Sequence, residues 1–219
     1  MGNAVNLNRA IWLLTAVSAL VWLFFAAVEN TDLSKPMDFL GLLPWVVTVD
    51  TAVVSVFAKW GWRWGLWQNW LVELPNLNGT WIGEIRSDYE DGGERIAPVP
   101  AMLTIRQTLF ATSCVMQTEE MRSDSYAEGF RIDDERQLRQ IAYAYASTPR
   151  PPVLDRSAPH NGSALLDIVV SPEKRLRGRY WTERGTGGEM DLAFHGPQRL
   201  EVLPVEMAAH PMVSSAANR

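Results

Sequence analysis

The side chains best suited to chemistry in this sequence are polar and aromatic residues that alternate along short apolar runs. In a β-strand, residues i and i+2 point to the same face, so Tyr180, Thr182 and Arg184 are expected to share one side. Tyr143 and Tyr145 share a side by the same rule. The polar residues in the same phase on other strands are Gln107, Ser123 and Ser125. Aromatic rings stack on bases and the arginine fork matches a phosphate, so the set predicts a small nucleotide-like ligand.

A catalytic role for the C-terminal part of the chain, which contains these strands, would depend on one group of residues around His160. Its possible partners are Asp155, Ser163 and Asp167, but their spacing matches no nucleophilic motif of known geometry. We therefore expect no enzymatic activity, and we treat His160 as a candidate ligand contact or as the residue that fixes its own loop. The only cysteine, Cys114, can form no internal disulfide and no paired-cysteine metal site, so we predict neither a metal nor a cofactor.

The elements that must position these residues are short strands. After about residue 70 the apolar residues alternate and are punctuated by turn-forming residues, which is typical of an antiparallel barrel or sandwich. The predicted strands are Gly79–Arg86, Ala101–Thr108, Thr112–Thr118, Ser123–Ile132, Gln137–Ala146, Ala164–Val170, Arg177–Arg184, Met190–His195 and Arg199–Leu203. If the polar faces point inward, a barrel of about eight strands has room for one small ligand. If the polar faces point to solvent instead, the apolar residues on the other faces of the strands form the core and leave no ligand site.

Two long apolar runs precede the strands and predict a transmembrane hairpin. The run from Ala10 to Val28 contains no charged residue, and the run from Phe39 to Ala58 contains only Asp50. About 20 apolar residues cross the hydrocarbon core of a bilayer, so each run is long enough. A cleaved signal peptide is the alternative for the first run, but a second run follows at once. The predicted domains are a hairpin over 1–70 (helices about 10–28 and 39–58), a barrel over 71–206 and a flexible tail over 207–219.

Charged flanks set the expected orientation of the hairpin. Arg9 precedes the first run, Lys59 and Arg63 follow the second, and the short connection carries mostly acidic residues. Positive flanks stay in the cytoplasm, so both termini are predicted to be cytoplasmic in a bacterial inner membrane. Segment 59–70 is rich in tryptophan, which favours the headgroup level of a bilayer, and it is expected to be an interfacial anchor.

Asp50 is the one ionisable residue expected near the middle of a span. A carboxylate there is costly and usually faces protein or water, so we predict a contact with another subunit or a bond within its own hairpin. Thr48, Thr51 and Ser55 follow one helical face as a small polar stripe that suits close helix packing. Together with Asp50 they form the predicted assembly surface of a homo-oligomer.

The overall charge excludes one class of partner. The chain has 20 basic and 25 acidic residues and a net charge of −5. A protein that binds polymeric nucleic acid needs a broad basic face to neutralise phosphates, and this composition does not provide one. A small phosphodiester held by a few arginines is still compatible with it.

Several motifs occur in an order that resembles a known family. They are Pro75–Gly83 (PNLNGTWIG), Leu103–Thr108 (LTIRQT), Ser123–Ser125, Tyr143–Tyr145, His160–Gly162 and Leu176–Gly188 (LRGRYWTERGTGG). Each motif alone is weak, but the ordered set behind two apolar runs resembles the two-transmembrane β-barrel effectors of CBASS, the bacterial cyclic-oligonucleotide antiphage system. The resemblance covers nearly the whole chain.

The resemblance implies a function that composition does not reveal. In that family a partner nucleotidyltransferase (CD-NTase) makes a cyclic oligonucleotide, such as a cyclic dinucleotide, and a lipocalin-like barrel binds it. The effector then oligomerises in the inner membrane and disrupts the bilayer, which kills the infected cell. The fold class expected here is thus a membrane all-β protein, a two-helix transmembrane hairpin followed by an approximately eight-stranded antiparallel barrel.

Strand phase assigns expected roles within such a barrel. Arg184 is expected to contact a phosphate. Stacking or hydroxyl contacts are expected from Tyr143, Tyr145 and Tyr180, and contacts to base edges or sugar from Gln107, Ser123, Ser125 and Thr182. The alternative function is a membrane-tethered lipocalin-like carrier of a small apolar ligand. It predicts an aliphatic lumen, with Arg184 stapling the barrel end over Trp81. Independently of that alternative, Trp81 is expected to plug the barrel floor, as in lipocalins.

Overall fold

A computed structural model describes residues 5–31, 35–68, 70–133 and 135–204. The predicted tail over 207–219 lies outside the described residues. The chain forms two compact units, which are described separately. Among the described residues, one unit contains those from 5 to 75 together with 108–110, and the other contains 76–107 and those from 111 to 204.

The first unit is built on two apolar helical runs. Helix α1 covers Leu7–Val28, and the second run is divided into α2 (Pro36–Gly41) and α3 (Leu43–Lys59). Pro44 sits in the first turn of α3, where its missing N–H costs nothing, and this explains the break after α2. Leu7–Val28 and Met37–Lys59 are both long and apolar enough to cross a membrane. They agree closely with the predicted helices.

The two ends of this unit meet, as a hairpin requires. Val5 forms an isolated antiparallel bridge with Val72, and the backbone N–H of Asn6 donates to the carbonyl of Leu71 at 2.9 Å. The Arg9 guanidinium donates to the carbonyl of Trp70. The chain therefore leaves α3 on the side where it entered α1.

The second unit is a closed, eight-stranded antiparallel barrel with a small extra hairpin. Its strands are β1 (Gly79–Ser87), β2 (Glu90–Asp91), β3 (Glu94–Arg95), β4 (Val99–Gln107), β5 (Thr112–Gln117), β6 (Met121–Asp133), β7 (Leu138–Pro149), β8 (His160–Val169), β9 (Arg175–Thr182) and β10 (Gly187–Gly196). From β4 to β10 each strand pairs with the next, and β1 pairs with both β4 and β10 to close the barrel. The pair β2–β3 forms a hairpin within the β1–β4 connection. The predicted fold class is confirmed.

One end of the barrel is filled with apolar side chains and forms a floor. Trp81 is 1 % exposed; its indole N–H donates to the carbonyl of Leu77 at 2.9 Å, and its ring meets Phe194 edge-on at 5.0 Å. Other fully buried apolar residues of the barrel core include Leu103, Ile105, Leu166, Leu176 and Leu192. The expectation that Trp81 plugs the floor agrees with this packing.

The predicted strand Arg199–Leu203 is wrong. The barrel closes between β1 and β10, so no free strand edge remains for a ninth strand. The segment instead runs irregularly and is held by side chains. The Thr80 hydroxyl donates to the carbonyl of Gln198 at 2.7 Å and accepts the N–H of Leu200 at 3.0 Å, while the Thr104 hydroxyl donates to the carbonyl of Leu200 at 3.1 Å.

Candidate functional site

The barrel contains a cavity of about 420 Å³ at the end opposite Trp81. This volume falls within the range of roughly 300–1,000 Å³ that is usual for small-molecule sites. Seven of the nine side chains predicted from strand phase line it, namely Ser123, Tyr143, Tyr145, His160, Tyr180, Thr182 and Arg184. The polar faces of these strands thus point inward, as the ligand hypothesis requires.

Small residues on neighbouring strands make room for the tyrosine rings. Gly162 pairs with Tyr145, and a Cβ added to Gly162 would lie 2.5 Å from the ring and hydroxyl of that tyrosine. Gly188 pairs with Tyr180, and a Cβ there would lie 2.8 Å from its ring. Because these glycines have no Cβ, the rings of Tyr145 and Tyr180 can lie flat against the barrel wall. The centre of the lumen is therefore left open.

The two tyrosines of β7 form a tilted pair with ring centroids 5.9 Å apart. Burial raises the pKa of Tyr145 to about 12 and raises the pKa of Tyr143 well above its usual value. Both phenols are therefore neutral near pH 7 and can donate hydrogen bonds. The Tyr143 hydroxyl is buried and has no hydrogen-bond partner among the described residues. A ligand atom that accepts this hydrogen bond would remove the cost of the unsatisfied group.

Arg184 is presented by a tightly pinned turn between β9 and β10. The N–H of Thr182 donates to the carbonyl of Thr186 at 2.9 Å, and their hydroxyl oxygens lie 2.7 Å apart. Gly185 has a φ of 77°, a conformation that a residue with a Cβ seldom adopts. The turn is also tied to β8, because the N–H of Asn161 donates to the Glu183 carboxylate at 2.7 Å. The guanidinium thus projects from a fixed base.

The contacts of Arg184 lead to the connection between β7 and β8. We call residues 150–159 the roof segment, because its inward-facing residues Arg156 and Ser157 line the cavity. Arg184 Nη1 lies 3.2 Å from Ser157 Oγ and 3.5 Å from the carbonyl oxygen of Ala158. Both acceptors are neutral, so these bonds leave the positive charge of Arg184 available to an anion.

His160 combines the two roles considered for it. Its Nδ1 lies 3.1 Å from the carbonyl oxygen of Ala158, so the ring holds the end of the roof segment. Burial lowers the pKa of His160, which favours the neutral ring near pH 7. When Nδ1 carries the proton and donates to that carbonyl, Nε2 is left as an acceptor in a ring that lines the cavity.

Ser123 is nearly buried at the same end of the barrel. Its hydroxyl oxygen lies 2.6 Å from that of Ser147 on β7, so the pair joins two strands beside the cavity. One of the two hydroxyls must donate, and the other keeps its proton for a further partner.

Gln107 and Ser125 do not line the cavity. Gln107 is fully buried at the floor, where its Oε1 accepts the backbone N–H of Leu77 at 2.9 Å. Ser125 lies at a β-bulge in β6, and its hydroxyl accepts the N–H of Cys114 at 2.8 Å and donates to Glu128. Both side chains therefore serve the barrel wall in this structure.

The sequence analysis missed two charged residues of the cavity. Glu120 precedes β6 in a tight turn, and Arg156 belongs to the roof segment; the Arg156 guanidinium donates to Glu120 Oε1. Neither residue lies in a periodic strand, so the alternation of apolar residues gave no signal for them. The roof segment is rich in proline, a composition that indicates a loop but not which of its side chains point inward.

The residues considered for catalysis are not brought together. His160 faces the cavity, whereas Ser163 and Asp167 lie in the opposite phase of β8. The Asp167 carboxylate accepts a hydrogen bond from Gln140 Nε2 at 2.7 Å, and Asp155 is exposed. The absence of enzymatic activity stays a prediction.

In the helical unit, Asp50 contacts its own hairpin. The Ser18 hydroxyl on α1 lies 2.6 Å from Asp50 Oδ2 and 2.8 Å from the carbonyl oxygen of Leu14. The other oxygen, Oδ1, is buried and has no hydrogen-bond partner among the described residues. Thr48 and Thr51 each donate to a backbone carbonyl of their own helix at 2.7 Å, and Ser55 is exposed. The predicted assembly role of these residues stays a prediction.

Comparisons with known proteins agree with the geometry. Residues 72–193 match the family model described as Cap15, cyclic dinucleotide receptor domain. The chain is 25 % identical over 173 residues to CD-NTase-associated protein 15 of Escherichia albertii, which covers 78 % of this chain and 82 % of the relative. It is 22 % identical over 156 residues to the protein of the same name from Staphylococcus schleiferi, which covers 71 % and 80 %.

The family match covers more than half of the chain, and it includes β1 to β9 and most of β10. It confirms the family resemblance inferred from the ordered motifs. The chain therefore belongs to the family of Cap15 cyclic dinucleotide receptor domains.

Proposed function

We propose that the chain is a CBASS effector that binds a cyclic dinucleotide in the barrel cavity and then assembles to disrupt the inner membrane. The observation that carries this proposal is the cavity itself. It combines the Arg184 guanidinium with the aromatic side chains of Tyr143, Tyr145 and Tyr180 in a domain of the cyclic dinucleotide receptor family. Stacking surfaces beside an anion site suit a nucleotide, and the match to a cyclic dinucleotide receptor domain favours a cyclic dinucleotide within that class.

The chemistry of the lining assigns parts of the ligand. Arg184 offers a planar fork of N–H donors to a phosphodiester. Tyr145 and Tyr180 offer faces on which bases stack, and base–aromatic stacking contributes about 1–3 kcal/mol per base. Thr182 and Ser123 offer hydroxyls at the same end of the barrel. We expect a receptor without catalytic activity and without a cofactor.

The carrier of an apolar ligand is the weaker alternative. It requires an aliphatic lumen and an arginine that staples the barrel end over Trp81. Arg184 instead lies at the opposite end from Trp81. The cavity there is lined by four tyrosines, by a second arginine (Arg156) and by several hydroxyl groups. The cavity also has apolar lining residues, among them Ile85, Val99 and Met190, but a carrier of an apolar ligand gives no role to the arginines and hydroxyls beside them.

The experiment that tests the proposal is a calorimetric titration of the full-length protein in detergent with cyclic di-AMP, cyclic di-GMP and cyclic GMP–AMP. A linear dinucleoside monophosphate such as ApA is the matched control, because it has the same bases with a single phosphodiester. We expect saturable binding of at least one cyclic dinucleotide and much weaker binding of the linear control. Binding of fatty acids with no response to any cyclic dinucleotide would favour the carrier instead.

We further propose that both termini face the cytoplasm, where a CD-NTase partner would release the messenger. The charged flanks and the bridge between Val5 and Val72, which brings the two ends of the hairpin together, support this orientation. A C-terminal alkaline phosphatase fusion, which is active only in the periplasm, should therefore be silent, and a C-terminal fluorescent protein should be bright. The reverse pattern would deny the barrel access to a cytoplasmic messenger.

Membrane disruption requires several copies of the chain, because two helices are too few to enclose a pore. The buried, unpartnered Oδ1 of Asp50 supports a role in this assembly, since a donor supplied by a neighbouring subunit would satisfy it. The ligand must favour the assembled state by binding it more tightly than the resting state. The lipid bilayer and a second copy of this chain are thus the expected partners during activation.

A further inference from the structure

A carboxylate lies in the cavity that is proposed to receive an anion. The side chain of Glu120 is only 6 % exposed, and it lines the same space as Arg156 and Arg184. A buried carboxylate repels a phosphodiester, and this repulsion is strong where water is scarce. A carboxylate at this position would weaken the binding of an anionic ligand unless it has another role in the site.

Glu120 holds the roof segment at two points. The Arg156 guanidinium donates to Glu120 Oε1, and the N–H of Arg150 donates to the backbone carbonyl of Glu120 at 2.8 Å. The side-chain bond occupies an arginine that is 40 % exposed and reaches the cavity. The Glu120 carboxylate thus occupies the hydrogen-bond donors of Arg156 that a ligand phosphate would use.

The charges of the cavity can be compared with those of the ligand. Among the described lining residues, the permanently charged side chains are Glu120, Arg156 and Arg184. The hydrogen bonds of Arg184 go to neutral oxygens of Ser157 and Ala158, so its charge is available to one phosphodiester. A cyclic dinucleotide carries a second phosphodiester, and Arg156 is the other cation in the cavity.

We propose that Glu120 is an internal competitor of the ligand, which occupies Arg156 until the second phosphodiester of a cyclic dinucleotide replaces it. This inference rests on the proposed function of the cavity. It makes the Glu120–Arg156 pair a determinant of specificity, because a ligand with one phosphodiester is matched by Arg184 and gains nothing from displacing Glu120. It also links ligand binding to the roof segment, since the exchange releases the side-chain bond that holds Arg156.

Two neutralising substitutions test the proposal in the full-length protein. Glu120→Gln removes the competing charge and keeps the size of the side chain. Glu119→Gln is the matched control, because Glu119 is the adjacent residue, has the same charge and does not line the cavity. We expect Glu120→Gln to tighten binding of the best cyclic dinucleotide about five- to twenty-fold, less than the full effect of a charge-assisted hydrogen bond, because the glutamine oxygen can still accept from Arg156. Binding of linear ApA, and binding to the Glu119→Gln variant, should change less than about two-fold.

A second pair of variants tests whether Glu120 acts through Arg156. In an Arg156→Gln background the gain from Glu120→Gln should disappear, because the competed cation is gone. A gain that persists there would overturn the proposal, and so would a Glu120→Gln variant that binds cyclic dinucleotides more weakly and melts at a lower temperature. The latter result would make the pair a structural staple of the roof segment. If the unsubstituted protein binds no cyclic dinucleotide, the proposed function fails, which is distinct from failure of this inference.

Discussion

Replacing Arg184 with alanine should weaken cyclic dinucleotide binding about 10- to 100-fold without unfolding the barrel. The range corresponds to about 1.5–3 kcal/mol, the usual contribution of a hydrogen bond to a charged group. The structure gives the reason, because Arg184 reaches the cavity and bonds only neutral oxygens of the roof segment. Titration calorimetry of the full-length variant measures the loss.

Arg179→Ala is the matched control for this prediction. Arg179 lies on β9, the strand that leads into the turn of Arg184, in the opposite phase to Tyr180 and Thr182; it is exposed and does not line the cavity. Its removal changes the net charge equally and should leave the affinity within about two-fold. If Arg184→Ala and Arg179→Ala bind equally well, Arg184 is no phosphate ligand. A collapsed melting curve for Arg184→Ala alone would assign Arg184 to the fold.

Replacing Asp50 with leucine should leave ligand binding intact and abolish most ligand-induced crosslinking and killing. An interhelical hydrogen bond in a membrane contributes about 1–2 kcal/mol, and the contribution recurs at every subunit contact of an assembly. The Oδ1 of Asp50 has no hydrogen-bond partner among the described residues, and we expect a donor of a neighbouring subunit to satisfy it once assembly exposes that oxygen. Crosslinking in membranes, with and without cyclic dinucleotide, measures assembly, and growth after induction of the messenger measures killing.

Ser18→Ala separates assembly from the internal packing of the hairpin. This substitution removes the hydroxyl that contacts Asp50 Oδ2 and leaves the carboxylate in place. If the carboxylate serves assembly, Ser18→Ala should crosslink and kill like the parent. If Ser18→Ala reproduces the defect of Asp50→Leu, the residue acts only within its own hairpin. An Asp50→Leu variant that assembles and kills normally would show that Asp50 is not needed for assembly and that other parts of the chain drive it.

The alternation of side chains predicted which faces of β7 and β9 point into the lumen. Tyr143, Tyr145, Tyr180 and Thr182 line the cavity because a strand repeats every two residues and small residues on neighbouring strands leave space for the rings. The length and apolar composition of the two runs were likewise enough to predict both helices, because an uninterrupted run of about 20 apolar residues is typical of a membrane-spanning helix.

Alternation does not give the position of a residue along the barrel axis. Gln107 is buried, as its phase predicts, but it lies at the floor, because β4 ends there rather than at the cavity. Ser125 keeps the phase of Ser123 and pairs with Tyr145, so its phase was predicted correctly. Its hydroxyl is nevertheless bound to the N–H of Cys114 and to Glu128 in the barrel wall, and the sequence pattern gave no sign of these contacts.

Long-range contacts determine the rest of the site. Glu120 and Arg156 are 36 positions apart in irregular segments, and they meet only because the barrel brings a turn and the roof segment to one end. The pattern of neighbouring residues in the sequence could therefore not predict that Glu120 contacts Arg156. The irregular course of Arg199–Leu203 has a similar origin, since the closure of β1 on β10 excludes a further strand.

Hydrogen–deuterium exchange of the full-length protein, with and without a saturating cyclic dinucleotide, tests the central claim most directly. The claim is that the ligand binds in the barrel cavity, between the roof segment and the turn that carries Arg184. The account predicts slower exchange in residues 150–160 and 180–186, and no such protection in the Arg184→Ala variant at the same ligand concentration. Protection confined to the outer face of the barrel, or unchanged exchange in both segments at saturation, would contradict it.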